Sequence, residues 1–233
     1  MMQACRYTLG AFLLLALLLL GGAKKQDTLR AEFAGEFVIS TAGLGGGAAG
    51  SPEGTAQPPK EIRIPAEGTL IWADPMLRLD ATQGLTQEAT RLIVDFDAGM
   101  ATLLYPDTLN GYRMDLKGLD KAGYLSLARQ YLSGDHSGAP EGYTRRELGK
   151  ETVGGKRCTH VRWTKEGGRQ VDWWLDSHDD PVRVTAKSER GNVTINIKSL
   201  KRGIPVPKAT FAIDKSYTIE ESKQPPEGTL PPV

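Results

Sequence analysis

The feature that most constrains this chain is an alternation of apolar and polar residues with a period of two. In residues 30–40, Ala31, Phe33, Phe37 and Ile39 share one face, whereas the glutamates between them point the other way. A β-strand has this period, because its successive side chains point to opposite faces of a sheet. The same alternation recurs along most of the chain, so the sequence predicts a domain built mainly from strands.

Short connections rich in turn residues separate these predicted strands. Asn110-Gly111 is a strong hairpin signal, and Val153-Gly154-Gly155 and Arg190-Gly191-Asn192 are further turns of the same kind. Connections this short force neighbouring strands to run antiparallel. The predicted fold class is therefore mainly β, with a large antiparallel sheet that includes strands at residues 144–148 and 210–213.

One segment breaks the rhythm of the strands. Residues 119–132 place apolar side chains, among them Leu125 and Leu132, at the three- and four-residue spacing of an amphipathic helix, and Gly134 follows where such a helix would end. The sequence therefore predicts one helix that covers part of the sheet.

The ends of the chain differ in composition from its middle. Residues 1–23 combine Arg6, an apolar run over residues 11–20 and small residues, which is the pattern of a cleaved secretory signal peptide. A retained anchor is the alternative, but the run is shorter than the roughly 20 residues that a spanning helix needs. The predicted domain covers residues 24–218, and residues 219–233 form a predicted disordered tail.

Residues 42–59 interrupt the domain with a stretch rich in Gly, Ala, Ser and Pro. Its Gly45, Gly47 and Gly50 have the spacing of a phosphate-binding loop, but Ser51-Pro52 follows where the helix of such a loop would begin. We interpret this stretch as a flexible loop between two strands, with little apolar area to bury.

Charge and cysteine content exclude several classes of protein. The 29 Lys and Arg residues balance the 28 Asp and Glu residues, so the chain lacks the basic character of a dedicated nucleic-acid binder. Removal of the signal peptide leaves Cys158 as the single cysteine, which excludes an intramolecular disulfide. We interpret Cys158 as a small buried residue on a strand. The alternative, a catalytic thiol, would use His160 two residues further on.

The sequence offers few candidates for catalysis. His136, His160 and His178 have neither metal-ligand spacing nor a recognisable nucleophile motif beside them. Ser177 and the three residues after it contain the residue types of a hydrolase triad, but adjacent residues in a turn cannot form its geometry, and a hairpin tip is the better interpretation. We therefore predict no catalytic residue, no metal site and no cofactor.

The four tryptophans all fall on predicted strands. Trp173 shares a face with Val171 and Leu175, whereas Trp174 lies on the opposite face with Asp172. One interpretation places Trp173 in the core and Trp174 half-exposed. The other holds that a single helix covers a long sheet incompletely and leaves a groove for an apolar ligand.

Between about residues 30 and 218 the order of these elements resembles the LolA-like superfamily, which includes periplasmic lipoprotein carriers and outer-membrane lipoprotein receptors. The motifs that carry the resemblance are Phe33-x-Gly35-x-Phe37, residues 68–72 leading through Pro75 to Arg78-x-Asp80, residues 92–105, residues 149–158, Trp174-Leu175-Asp176 with Pro181-Val182-Arg183, and residues 203–211 ahead of Tyr217. The second half is most similar to an uncharacterised bacterial branch of the superfamily.

The resemblance implies an unclosed, strongly curved antiparallel β-barrel whose helices and sheet enclose a hydrophobic cavity for acyl chains. It implies a non-enzymatic protein that binds a lipid or an acylated ligand. Asp74 departs from the carriers, which have a basic residue before the proline, so their lid mechanism is not carried over. The candidate ligand-binding residues are Phe33, Phe37, Trp72 and Trp173 on strands and Leu125 and Leu132 on the helix.

The expected location is the periplasm or the extracellular space, reached through the signal peptide. The expected partners are an apolar or acylated ligand, with lipoproteins or another envelope component as further candidates, and the location allows peripheral contact with a membrane. The alternative function is a protein-interaction or scaffolding domain of the same fold, whose core is filled by its own side chains and which binds no lipid.

Overall fold

The computed structural model describes residues 28–40, 61–83, 88–116, 143–165, 170–188 and 191–222. Three predicted segments therefore lie outside the described residues: the signal peptide at 1–23, the loop at 42–59 and the helix at 119–132.

The described residues form twelve β-strands and one short 3-10 helix, which confirms the mainly-β class; no α-helix lies among them. The strands are β1 (Thr28–Ser40), β2 (Glu61–Ala73), β3 (Met76–Gln83), β4 (Glu88–Asp95), β5 (Met100–Tyr105), β6 (Asn110–Asp115), β7 (Tyr143–Val153), β8 (Lys156–Lys165), β9 (Gln170–Leu175), β10 (Pro181–Ser188), β11 (Gly191–Arg202) and β12 (Thr218–Ser222). The 3-10 helix, Lys208–Phe211, lies between β11 and β12.

All twelve strands belong to one sheet with the order β12-β6-β5-β4-β3-β2-β1-β11-β10-β9-β8-β7. Neighbouring strands run antiparallel, as predicted, except that β12 pairs with β6 in parallel. The first strand lies near the middle of the order, so β2–β6 form one half of the sheet and β7–β11 the other. Among the described residues β7 pairs with β8 alone, and the sheet is not closed into a barrel.

The two faces of the sheet differ in chemistry because the strands alternate apolar and polar side chains. Leu29, Ala31 and Phe33 of β1 are at most 1% exposed, whereas Arg30 and Glu32 between them are exposed. We call the face that carries these buried residues the inner face and the opposite face the outer face. Both halves of the sheet contribute to the inner face.

Glycine permits a close approach of strands and a tight turn in this sheet. A Cβ at Gly68 in β2 would collide with the carbonyl oxygen of Asp80 in β3 and with the ring of Phe33 in β1. Gly154 and Gly155, with φ values of 56° and 78°, form the two-residue connection between β7 and β8, and such a turn needs positive φ at both positions.

Two boundaries differ from the sequence prediction. Residues 210–213, which we predicted as a strand, lie in and just after the 3-10 helix. Pro205 and Pro207 precede it, and proline has no N–H to donate to a neighbouring strand. Strand β12 reaches Ser222, so the ordered domain extends past residue 218, where we placed its end.

Within the described ranges, no helix is both long enough and apolar enough to cross a membrane.

Candidate functional site

The inner face carries one continuous cluster of buried apolar residues drawn from both halves of the sheet. Its members are Leu29, Ala31, Phe33, Leu70, Trp72, Leu77, Leu79, Ala81, Leu92, Val94, Ala101, Leu103, Met114, Leu116, Val161, Trp163, Trp173, Val184, Ala186, Val193 and Ile195. Side chains from both halves of the sheet therefore share one core.

Three of the six predicted ligand-binding residues lie in this cluster. Phe33, Trp72 and Trp173 are 1%, 0% and 4% exposed. Phe37 lies in β1, opposite Ile64 of β2 and Val193 of β11, but its side chain is outside the described part. Leu125 and Leu132 also lie outside the described residues, so their assignment to a ligand site stays a prediction.

Trp72 is the second residue of an apolar row that crosses the first half of the sheet. Strand register places six residues side by side in this row: Leu29, Trp72, Leu77, Val94, Ala101 and Met114. The Phe96 ring meets the Trp72 ring edge-on, with centroids 5.5 Å apart and an interplanar angle of 82°. Trp72 is thus packed against side chains that have no strong hydrogen-bond acceptor.

The indole N–H of Trp72 is the one buried side-chain donor or acceptor that lacks a hydrogen-bond partner among the described residues. Buried tryptophans usually place this N–H against an acceptor. Leaving such a group unpaired in an apolar interior costs about 1–3 kcal/mol. The predicted ligand residue Trp72 is therefore also the one with unused hydrogen-bonding capacity.

The outer face of the second half carries a polar network centred on His160 of β8. Its Nδ1 lies 2.7 Å from Oε1 of Glu151 in β7, and its Nε2 lies 3.0 Å from Oδ1 of Asp172 in β9. His160 is 6% exposed and Asp172 2% exposed. Each ring nitrogen of His160 therefore faces a carboxylate oxygen on a neighbouring strand.

Further donors complete the surroundings of Asp172. Arg162 donates through Nε to Oδ1 at 2.7 Å and through Nη2 to Oδ2 at 3.3 Å, and Gln170 donates through Nε2 to Oδ2. Burial alone would raise the pKa of Asp172, but the hydrogen bonds from Arg162, Gln170 and His160 outweigh it and hold that pKa below its usual value.

Trp174 joins the same network from β9. Its Nε1 donates to Oε2 of Glu151 at 2.9 Å, and its ring stacks on His160 with centroids 4.4 Å apart. The hydrogen bond from Trp174, followed by that from His160, lowers the pKa of Glu151. The Arg183 guanidinium lies 5.9 Å from the centroid of the Trp174 ring and donates to Asn196. This tryptophan is half-buried, as one of the two interpretations predicted.

The outer network uses its polar atoms internally. Both ring nitrogens of His160 and all four oxygens of the carboxylates of Glu151 and Asp172 have partners. The described ranges contain no group of three or more His, Cys, Asp or Glu residues arranged to hold a metal ion. The arrangement therefore ties β7, β8 and β9 together.

Cys158 lies near this network but does not join its hydrogen bonds. It is a free thiol, 1% exposed, and it packs with Val153 and Val182 in a small second cluster. Burial raises the pKa of the thiol, which disfavours the reactive thiolate. Its interpretation as a buried structural residue is confirmed.

Residues 177–180 form the turn between β9 and β10, as predicted. The backbone N–H groups of His178 and Asp180 donate to Oδ1 of Asp176 at 2.9 and 3.1 Å. His178 is exposed at the tip. This segment is a hairpin tip held by an aspartate.

Two grooves open beside β1. One, of about 320 Å³, is lined by Arg30, Glu32, Ser199, Lys201 and Ile204. The other, of about 520 Å³, is lined by Phe33 and Ala81 of the apolar cluster together with the charged residues Glu32, Glu67, Asp80, Arg91 and Lys198. In its wall Arg91 pairs with Asp80 and Lys198 with Glu67. Charged groups line both grooves, so neither is the apolar cavity that the resemblance implies.

Sequence reasoning missed the outer network, although part of its signal is visible. The two-glycine turn sets Val153 opposite Lys156 and hence Glu151 opposite Cys158. Just beyond this pair, the register between β7 and β8 shifts at Leu148. The pairing of His160 with Trp174 depends in addition on the connection between β8 and β9. The alternation of polar residues on β8 and β9 indicated a polar face, but contacts between three strands require registers that local patterns leave open.

No family model matches this sequence, and no curated protein is similar to it. Solved structures share the fold. An uncharacterised conserved protein from Thermus thermophilus has a TM-score of 0.50 at 8% identity, covering 91% of this chain and 98% of its own. At this identity the likeness concerns the fold alone.

The structural neighbours also include proteins with names related to lipoproteins. The Mycobacterium tuberculosis lipoprotein LppX has a TM-score of 0.41 at 14% identity, covering 78% of this chain and 89% of its own. A putative outer membrane lipoprotein-sorting protein domain from Vibrio parahaemolyticus has a TM-score of 0.30 at 12% identity, covering 81% and 91%.

Proposed function

We propose that this chain is an exported, non-enzymatic protein that binds a lipid or an acylated ligand against the inner face of its sheet. The observation that carries the proposal is the continuous apolar cluster shared by both halves of an unclosed sheet. Because these side chains are already buried, an acyl chain inserted among them would be stabilised chiefly by burial of its own apolar surface, at about 25 cal/mol per Å² before the costs of association.

The distribution of polar partners supports the inner face over the outer one. On the outer face His160, Glu151 and Asp172 already satisfy one another. On the inner face the N–H of Trp72 lacks a partner among the described residues. A ligand therefore gains more binding free energy at the inner face, where its acyl chain meets apolar side chains and its acceptor meets one unpaired donor.

The proposed setting is the cell envelope, in lipid or lipoprotein handling. It follows from the pattern of residues 1–23, which predicts export, and from the resemblance of residues 30–218 to the LolA-like superfamily. Lipoproteins or another envelope component are the proposed partners.

Probe binding by the mature protein tests the proposal. The protein, stripped of co-purified lipid, is titrated with a fluorescent fatty-acid analogue, and native mass spectrometry of the unstripped protein shows which lipid it carries. We expect saturable binding and a bound species with the mass of an acylated molecule. Stripped protein that binds no probe would instead support the alternative, a scaffolding domain with a self-filled core.

Two variants with the same new residue locate the binding face. Ala31 and Arg30 are neighbours in β1. Ala31 lies on the inner face and is 0% exposed, whereas Arg30 lies on the outer face and is exposed. Ala31→Leu narrows the space over the inner face and should weaken probe binding several-fold, whereas Arg30→Leu should leave it unchanged. Thermal melts of both variants separate loss of binding from loss of the fold, since overpacking costs about 1–3 kcal/mol.

A further inference from the structure

The indole of Trp72 has an N–H that no described residue accepts. The residue has no exposed surface, and its Nε1 lacks a hydrogen-bond partner among the described residues. Its cross-strand neighbours, Leu29 and Leu77, are aliphatic, and Phe96 meets it with a ring. No side chain in this immediate set can accept the N–H.

This unpaired donor calls for an explanation, because buried polar groups in native proteins are nearly always hydrogen-bonded. The same fold shows how an indole N–H is ordinarily satisfied, since Trp174 donates to Glu151 at 2.9 Å. A phenylalanine at position 72 would supply an aromatic ring without the unpaired group. The N–H is therefore best explained by an acceptor that none of the described residues provides.

We infer that Trp72 donates a hydrogen bond to the carbonyl oxygen of a bound acyl ligand and so fixes how deeply the chain enters the inner face. The inference rests on the proposed function. The acceptor should belong to a neutral ester or amide, because the six residues of the row are apolar and Arg202, which lies opposite Leu29 on β11, is already paired with Asp180. An ester of a lipid and an amide of an acylated peptide both supply this chemistry.

A matched pair of ligands isolates the carbonyl. 1-Palmitoylglycerol and 1-hexadecylglycerol have the same headgroup and the same chain length, but the first is an ester and the second an ether without a carbonyl. Their affinities are measured by displacement of a bound fluorescent probe from the mature wild-type protein. We expect the ester to bind about fivefold to tenfold more tightly than the ether, the difference that one net hydrogen bond produces.

Two tryptophan variants assign that preference to a residue. Trp72→Phe removes the N–H and keeps an aromatic ring, so the ester-to-ether ratio should fall to about 1. Trp174→Phe removes the N–H of the outer network and should leave the ratio at its wild-type value. A third ligand, N-palmitoyl glycinamide, separates the two sources of the carbonyl: tighter binding than the ester supports an acylated peptide, and weaker binding supports a lipid ester.

The wild-type measurement keeps the inference falsifiable even if Trp72→Phe fails to fold. Equal affinity of the wild type for ester and ether overturns the role of Trp72 and leaves the proposed lipid binding intact. A ratio that Trp72→Phe does not change, in a folded variant, also overturns it. Absence of binding by both ligands overturns the proposed function itself, and the two failures are therefore distinct.

Discussion

The two tryptophans Trp72 and Trp174 show how differently the two faces of the sheet are completed. Trp174 is half-buried on the outer face, donates its N–H to Glu151 and stacks on His160. Trp72 is fully buried on the inner face, and its N–H has no partner among the described residues. The same side chain is satisfied by the protein on one face and left with spare capacity on the other.

Under the proposed function, this difference separates a structural site on the outer face from a binding site on the inner face. The outer network has the attributes often linked to catalysis, a buried histidine between two carboxylates, but those groups are engaged with one another and connect three strands. The inner face has fewer polar atoms, yet one of them is free to meet a ligand. The proposed ligand contact therefore rests on the unused N–H of Trp72 and not on the cluster of titratable residues.

The largest expected effect is the loss of Trp72 as a packing residue. Trp72→Ala removes a fully buried aromatic ring from the main cluster and should lower the free energy of unfolding by about 3–5 kcal/mol. Trp174→Ala should cost less, about 1–2 kcal/mol, because that ring is half-buried and its hydrogen bond contributes about 1 kcal/mol. Urea unfolding monitored by circular dichroism measures both. Equal losses would show that the outer face is as much a core as the inner one.

The next effect in size tests whether the outer network stabilises the second half of the sheet. Asp172→Asn keeps the shape of the side chain but removes the charge that Arg162 and His160 contact, so we expect a loss of about 2–3 kcal/mol in the free energy of unfolding. Glu67→Gln is the control, since its pair with Lys198 is exposed and such pairs contribute less than about 1 kcal/mol. A loss for Asp172→Asn no greater than the control's would contradict a stabilising role.

The same residues show how far the sequence alone could go. Alternation correctly placed Phe33 on the buried face of β1 and separated Trp173 from Trp174, because side-chain direction in a strand follows directly from sequence position. The hairpin at Asn110-Gly111 was also predicted, but its turn lies earlier, and Gly111 lies in β6 against Leu104.

What the sequence could not supply is the pairing between distant strands. The order of the sheet places β1 beside β11 and adds β12 in parallel to β6, and neither pairing leaves a local signal. The network of Glu151, His160 and Asp172 depends on the registers of three strands at once. The unpaired N–H of Trp72 depends on the identity of its cross-strand neighbours, which register alone determines.

Acid should weaken the outer network before it affects the inner face. The pKa of Asp172 is held below its usual value of 3.8 in the folded protein, so its contribution to stability is present above pH 3.8 and is lost as the pH falls through the lower, folded pKa. Wild-type protein should lose stability as the pH falls below 3.8, and Asp172→Asn should lose less over the same range. Urea midpoints at several pH values measure this, and parallel losses in the two proteins would exclude Asp172 as the cause.

The smallest expected effect gives the sharpest comparison, because it makes one substitution at both tryptophans. Trp174→Phe loses a hydrogen bond and leaves Glu151 with one donor fewer, so it should lower the free energy of unfolding by about 1 kcal/mol. Trp72→Phe loses no hydrogen bond within the described residues. The relief of an unpaired buried N–H then offsets much of the packing lost with the larger ring, and the net change should be close to zero.

Added ester ligand should reverse this balance: it stabilises the wild type and Trp174→Phe by mass action, and it stabilises Trp72→Phe less, because the ligand's carbonyl has lost its donor. Thermal melts of the three proteins with and without 1-palmitoylglycerol measure both halves of the prediction. An equal ligand-induced shift in all three proteins would show that the two indoles do not differ in the way their surroundings indicate.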